Sequence, residues 1–96
     1  MLTDDSIVVA APDQIACDLQ GDLLILHTAS GIYYGLDPLG KRIWDLLREP
    51  RSVSLIRDVI LEEYDVDRER CARDLRALLG DLADNGLIEV KPAAAA

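Results

Sequence analysis

The sequence predicts an α+β fold, a winged helix-turn-helix-like domain with an N-terminal antiparallel β-hairpin or three-stranded sheet and three α-helices. Three observations carry that prediction. Apolar runs at 23–27 and 32–36 are joined by Thr28-Ala29-Ser30-Gly31, the pattern of a hairpin. Beyond residue 36, apolar residues recur at helical spacing in three stretches, each opened by an Asp or Ser that can cap a helix. The chain has 96 residues, which is one small domain. Residues 1–90 are assigned to it and 91–96, with no packing signal, to a disordered tail.

The elements follow in order. Ile7-Val8-Val9-Ala10 is a short β-prone run closed by Pro12-Asp13, and residues 14–19 form a second strand ended by Gln20-Gly21-Asp22. In the hairpin, an even-length loop puts Leu23, Ile25 and His27 on one face with Ile32, Tyr34 and Leu36. Leu24, Leu26, Tyr33 and Gly35 take the other face, so both faces are largely apolar. Asp37-Pro38 opens the first helix, Leu39, Ile43, Leu46 and Leu47 give its stripe, and Glu49-Pro50 stops it. Ser52 caps a second helix whose stripe is Leu55, Ile56, Val59, Ile60 and Tyr64. Asp67 caps a third, with Ala72, Leu75, Leu78, Leu79 and Leu82 as its apolar rungs, and Asn85-Gly86 ends it so that Leu87 and Ile88 fold back. Gly80 inside that helix costs about 1 kcal/mol relative to Ala and suggests close packing.

Composition excludes several functions. Half of the residues are hydrophobic, Phe is absent, and the formal net charge is −8. Such acidity repels the phosphate backbone, and the third helix offers no basic face. Arg68, Arg70, Arg73 and Arg76 are outnumbered there by Asp67, Glu69, Asp74, Asp81 and Asp84. Nucleic acid is therefore not an expected partner, despite the winged-helix outline. No apolar run approaches a membrane span, and no signal-like segment opens the chain, so a cytoplasmic protein without membrane contact is expected. Cys17, Cys71 and the single histidine, His27, show no metal-ligand spacing. A Cys71–His27 dyad is disfavoured because packing explains both residues. No phosphate loop or nucleophile elbow is present. Neither metal, cofactor nor catalysis is expected.

One ordered set of motifs resembles the PqqD family. It runs from Leu23-Leu24-Ile25-Leu26 through Ser30-Gly31-Ile32-Tyr33-Tyr34-Gly35-Leu36-Asp37 to Gly40 and Ile43-Trp44-Asp45-Leu46-Leu47. It continues in Ser52-Val53-x-x-Ile56 and in Asp74-Leu75-x-x-Leu78-Leu79-x-x-Leu82-x-x-x-Gly86-Leu87. Asp37 stands where the family pattern has Asn and Ser52 where it has Thr, and all of these can cap a helix. The resemblance implies a recognition element for ribosomally synthesised, post-translationally modified peptides. Such a protein binds the leader segment of a precursor peptide and presents it to a separate enzyme. The expected partners are that leader and either a leader-removing cysteine peptidase, as in lasso-peptide pathways, or a radical-type modifying enzyme. A winged-helix protein-interaction or transcription-associated module is the alternative.

The resemblance also implies where the peptide lies: along the last strand of the hairpin and against the third helix. The expected peptide-binding residues are Ile32, Tyr33, Tyr34, Gly35 and Leu36 on the strand, with Arg73, Asp74, Leu75, Leu78 and Leu79 on the helix. On the helix, Leu75, Leu78 and Leu82 are assigned to the core stripe and Leu79 to the groove. An edge strand supports that role independently, because its unpaired N–H and C=O groups can accept an added strand. Gly35 leaves bare backbone for close approach. Trp44 is expected to be a half-buried core aromatic, and His27 a residue at the hairpin end.

Overall fold

A computed structural model describes residues 2–92. Its elements are β1 (Ile7–Ala10), β2 (Gln14–Leu19), β3 (Asp22–His27), β4 (Ile32–Leu36), α1 (Pro38–Leu46), β5 (Arg51–Ser52), α2 (Val53–Glu63), α3 (Arg68–Asp84) and β6 (Ile88–Lys91). The strands form two antiparallel three-stranded sheets, ordered β2-β3-β4 and β5-β1-β6. The α+β class and the three helices agree with the sequence reading. The second sheet differs from it, because β5 and β6 were not anticipated. Lys91, assigned to the tail, pairs with Ile7 in β6. Residues 93–96 of that tail lie outside the described residues.

The helices start where the sequence places their caps. Asp37 Oδ1 accepts from Gly40 N at 2.8 Å, Ser52 Oγ from Leu55 N at 3.1 Å, and Asp67 Oδ2 from Arg70 N at 3.0 Å. Each bond satisfies an N–H that the first turn would leave unpaired. At the far end of α3, Gly86 (φ 72°) is left-handed. Gly86 N donates to Ala83 O and Leu87 N to Leu82 O, the two bonds of a Schellman motif. Leu82 and Leu87 are both fully buried there, so the chain turns back over its own helix before entering β6.

The core lies between the helices and the inner face of β3 and β4, with Val8 of β1 added from the second sheet. Leu23, Ile25 and Leu36 supply the sheet side. Val53, Ile56 and Ile60 give α2 its buried stripe, while Leu55 is 43% exposed and Tyr64 lies at the exposed C-cap. Leu55 sits one residue, or about 100° of helical rotation, from Ile56, so the two cannot share a narrow stripe. Trp44 is buried rather than half-buried. Three polar ties pin the elements. Arg42 makes a bidentate contact with Glu63 at 2.8 Å for both bonds, joining α1 to α2. Lys41 pairs with Asp18 across to β2. Asp4 bridges Arg57 of α2 and Arg76 of α3 at 3.0 and 2.9 Å.

Candidate functional site

Strand β4 is an edge of its sheet, and the pairing fixes which of its backbone groups are free. Thr28 N donates to Asp13 O, so Thr28, Leu26 and Leu24 turn their backbone groups toward β2. Alternation in an antiparallel ladder then turns His27, Ile25 and Leu23 toward β4, where they face Ile32, Tyr34 and Leu36. The backbone N–H and C=O of Tyr33 and Gly35 consequently point away from the sheet. They form a short, unpaired ladder on an open edge.

That edge borders a groove of about 780 Å³. Tyr34, Gly35 and Leu36 form one wall, and Leu39, Gly40 and Ile43 of α1 continue it. The opposite wall is the first half of α3, with Arg70, Cys71, Asp74, Leu75 and Leu78. Ile60 lies at the base, and Asp65, Val66 and Asp67 close one end. The floor is apolar and the rim charged. A smaller cleft of about 290 Å³ lies at the other side of Gly35 and Leu36, against Leu19 and Leu24.

Helix α3 runs antiparallel to β4. The last residue of its cap, Gly86, faces the His27 ring, where a Cβ would lie 3.4 Å from Nε2, and His27 pairs with Ile32 at the start of β4. One turn earlier, Asp81 stands beside Tyr34. Burial, helped by the Asp81 carboxylate, pushes the Tyr34 hydroxyl above its ordinary range. The N-terminus of α3 therefore lies toward the Leu36–Asp37 end of the strand.

The expected site residues divide on this geometry. Tyr34, Gly35, Leu36, Asp74, Leu75 and Leu78 line the groove. Leu79 does not: it is 0% exposed in the core, and the assignment of Leu78 to the core stripe and Leu79 to the groove is reversed. Cys71, Leu75, Leu79 and Leu82 are the buried face of α3, a stripe at i, i+4, i+8 and i+11 that leaves Leu78 on its flank. Ile32 and Arg73 are exposed and outside the groove wall. The Tyr33 side chain, 63% exposed, shares the outer face with Ile15 and Leu26, so its backbone and not its ring belongs to the edge. Leu39, Ile43, Val66, Arg70 and Cys71 were not foreseen. Val66, an apolar residue between two acidic ones in a connector, carried the one visible signal.

The groove holds no activated nucleophile. Burial pushes the Cys71 thiol up, and Asp74 adds to that effect against the opposing pull of Arg57, which disfavours a thiolate. His27 Nδ1 lies 2.8 Å from Ser30 Oγ at the hairpin end, and His27 is not among the residues lining the groove. Among the described residues no three His, Cys, Asp or Glu side chains gather as a metal-holding group, and no helix is long and apolar enough to cross a membrane.

Known proteins share this architecture. The chain matches the family of coenzyme PQQ synthesis protein D (PqqD) over residues 22–88. It resembles the solved structure of TbiB1 in complex with the TbiA(beta) leader peptide at TM-score 0.77 and 38% identity, covering 84% of this chain and 94% of that one. It also shares its fold with lasso peptide synthetase B1 complexed with the leader peptide, at TM-score 0.74 and 24% identity, covering 85% and 96% of the two chains. No curated protein matches it. The match to PqqD takes in the hairpin, all three helices and the Schellman turn, and with them both walls of the groove: the chain belongs to the PqqD family.

Proposed function

We propose that this protein binds the leader segment of a ribosomally synthesised precursor peptide by strand addition to β4. It then presents the precursor to a separate enzyme in lasso peptide-like biosynthesis. The observation that carries the reading is the outward-facing backbone of Tyr33 and Gly35 beside an apolar groove. An added antiparallel strand would satisfy these groups and set alternate side chains into the groove, so that main-chain bonds give affinity and the groove gives selectivity. The 38% identical TbiB1, solved with a leader peptide, supports this reading.

In this reading the protein is a binding partner and not itself the catalyst. The enzyme it serves is a leader-removing cysteine peptidase or a radical-type modifying enzyme, and the work takes place in the cytoplasm, where ribosomes release the precursor. The order α1, β5, α2, α3, β6 fits a winged-helix-like arrangement turned from nucleic acid to peptide. The recognition domain extends through β6 to Lys91, one residue past the 1–90 read from the sequence. Fluorescence anisotropy with labelled TbiA(beta) leader peptide tests the reading. Saturable binding that weakens about tenfold or more, or 1.4 kcal/mol, in Gly35→Pro is expected. Equal binding by the wild type and Gly35→Pro, or none by the wild type, would overturn it.

A further inference from the structure

The groove has a charge polarity that matches its direction. Asp37, Asp65, Asp67 and Asp74 stand on its rim against one basic residue, Arg70, which is already 3.7 Å from Asp74. Asp37 and Asp67 each spend one carboxylate oxygen on a helix cap. The two helix N-termini add roughly half a positive charge each. The rim stays negative after both corrections, on a protein whose formal net charge is −8. The acids are not spread evenly. The antiparallel course of α3, fixed by Gly86 at His27 and Asp81 at Tyr34, carries Asp65 and Asp67 to the end of the groove beyond Leu36, where Asp37 also lies.

From this placement we infer that the groove selects a peptide with one or more Lys or Arg residues immediately N-terminal to the apolar stretch that pairs with β4. The inference rests on the strand-addition reading. A peptide antiparallel to β4 has its N-terminal flank at the Leu36–Asp37 end, so the flank meets the acids while the following residues meet Leu36, Ile43, Leu75 and Leu78. Opposite charge at a solvent-exposed rim mainly sets association rate and choice among peptides, and it fades with salt. Apolar contacts and backbone bonds carry the rest.

The test is a selection of randomised 15-residue peptides, displayed on their encoding RNA, against three forms of the full chain. These are the wild type, the double variant Asp65→Lys/Asp74→Lys, which spares both capping aspartates, and Gly35→Pro. Circular dichroism confirms that each is folded. Enrichment of Lys or Arg on the N-terminal side of an apolar alternation is expected with the wild type and lost with the double variant. A selected peptide whose basic residues are replaced by Glu should bind the wild type about tenfold more weakly at low salt. Peptides that need Gly35 but show no basic preference would overturn this inference and leave strand addition standing. Basic enrichment that persists in the double variant would assign the attraction to overall charge and also overturn it. Selected peptides that bind Gly35→Pro undiminished would overturn the strand-addition reading and this inference with it.

Discussion

A methyl group on Gly40 would lie 3.0 Å from Leu36 Cδ2 and 3.1 Å from Leu36 Cβ. A side chain at residue 40 would therefore crowd the first turn of α1 against the end of β4, and the neighbour would have to give by a few tenths of an ångström. This contact sets the corner at which strand, helix and groove meet, and the Asp37 cap bonds the same residue's N–H. Leu36 Cβ is anchored to the strand and cannot swing aside. Gly40→Ala should therefore lose more by overpacking, about 1–3 kcal/mol, than the roughly 1 kcal/mol it gains in helix propensity. A lower urea midpoint with an unchanged slope is the expected result, and a higher midpoint would show that the corner can relax.

The same substitution at Gly80 should have the opposite sign. A Cβ there meets nothing within 4 Å, so the glycine serves no close packing and its backbone freedom is only a cost. Gly80→Ala should stabilise the protein by about 1 kcal/mol, read as a rise in thermal midpoint.

Leu78 and Leu79, adjacent in sequence, should separate binding from stability. Leu79→Ala empties a fully buried site and should cost about 2–5 kcal/mol of stability. Leu78, half-buried on the groove wall, should cost much less when truncated to Ala but should reduce peptide affinity. Chemical denaturation and peptide titration on both variants check this. Comparable stability losses would place Leu78 in the core as well.

Acid should loosen the tie between the N-terminal segment and the helices. Hydrogen bonds from Arg76 and then Arg57 hold the Asp4 carboxyl below its ordinary value. A carboxylate with a depressed folded pKa contributes stability above its unfolded pKa, about 3.9, and loses it as pH falls through the folded value. Asp4→Asn should therefore be less stable than the wild type at neutral pH, and the gap should close as pH falls from the unfolded value through the lower folded one. A constant difference across an acid titration would assign the effect of Asp4 to packing.

Much of this fold was legible because its signals are local. The caps at Asp37, Ser52 and Asp67 and the Asn85-Gly86 stop each depend on a few neighbouring residues. The hairpin register follows from two apolar runs and one loop. The second sheet was missed because β5 has two residues and its pairing with β1 spans more than forty positions. The alternation Ile88-Glu89-Val90-Lys91 does read as a half-buried strand, but its partner, β1, lies at the other end of the chain. On the strand side, Tyr34, Gly35 and Leu36 line the groove, while Ile32 and the Tyr33 ring lie outside it. The helix side was misphased by one residue because leucine occupies both 78 and 79. Only the packing of α3 against α2 and the sheet decides which of two adjacent leucines turns inward.

The central claim is that a peptide strand adds to β4, and amide hydrogen exchange on the protein saturated with the TbiA(beta) leader peptide tests it most directly. The amides of Tyr33 and Gly35 should slow sharply on peptide addition. Those of Ile32, Tyr34 and Leu36, already turned toward β3, should change little. Protection that appears instead at Gln14, Ala16 and Asp18, whose backbone groups face outward on the β2 edge, would put the peptide on the wrong side of the sheet and contradict the account.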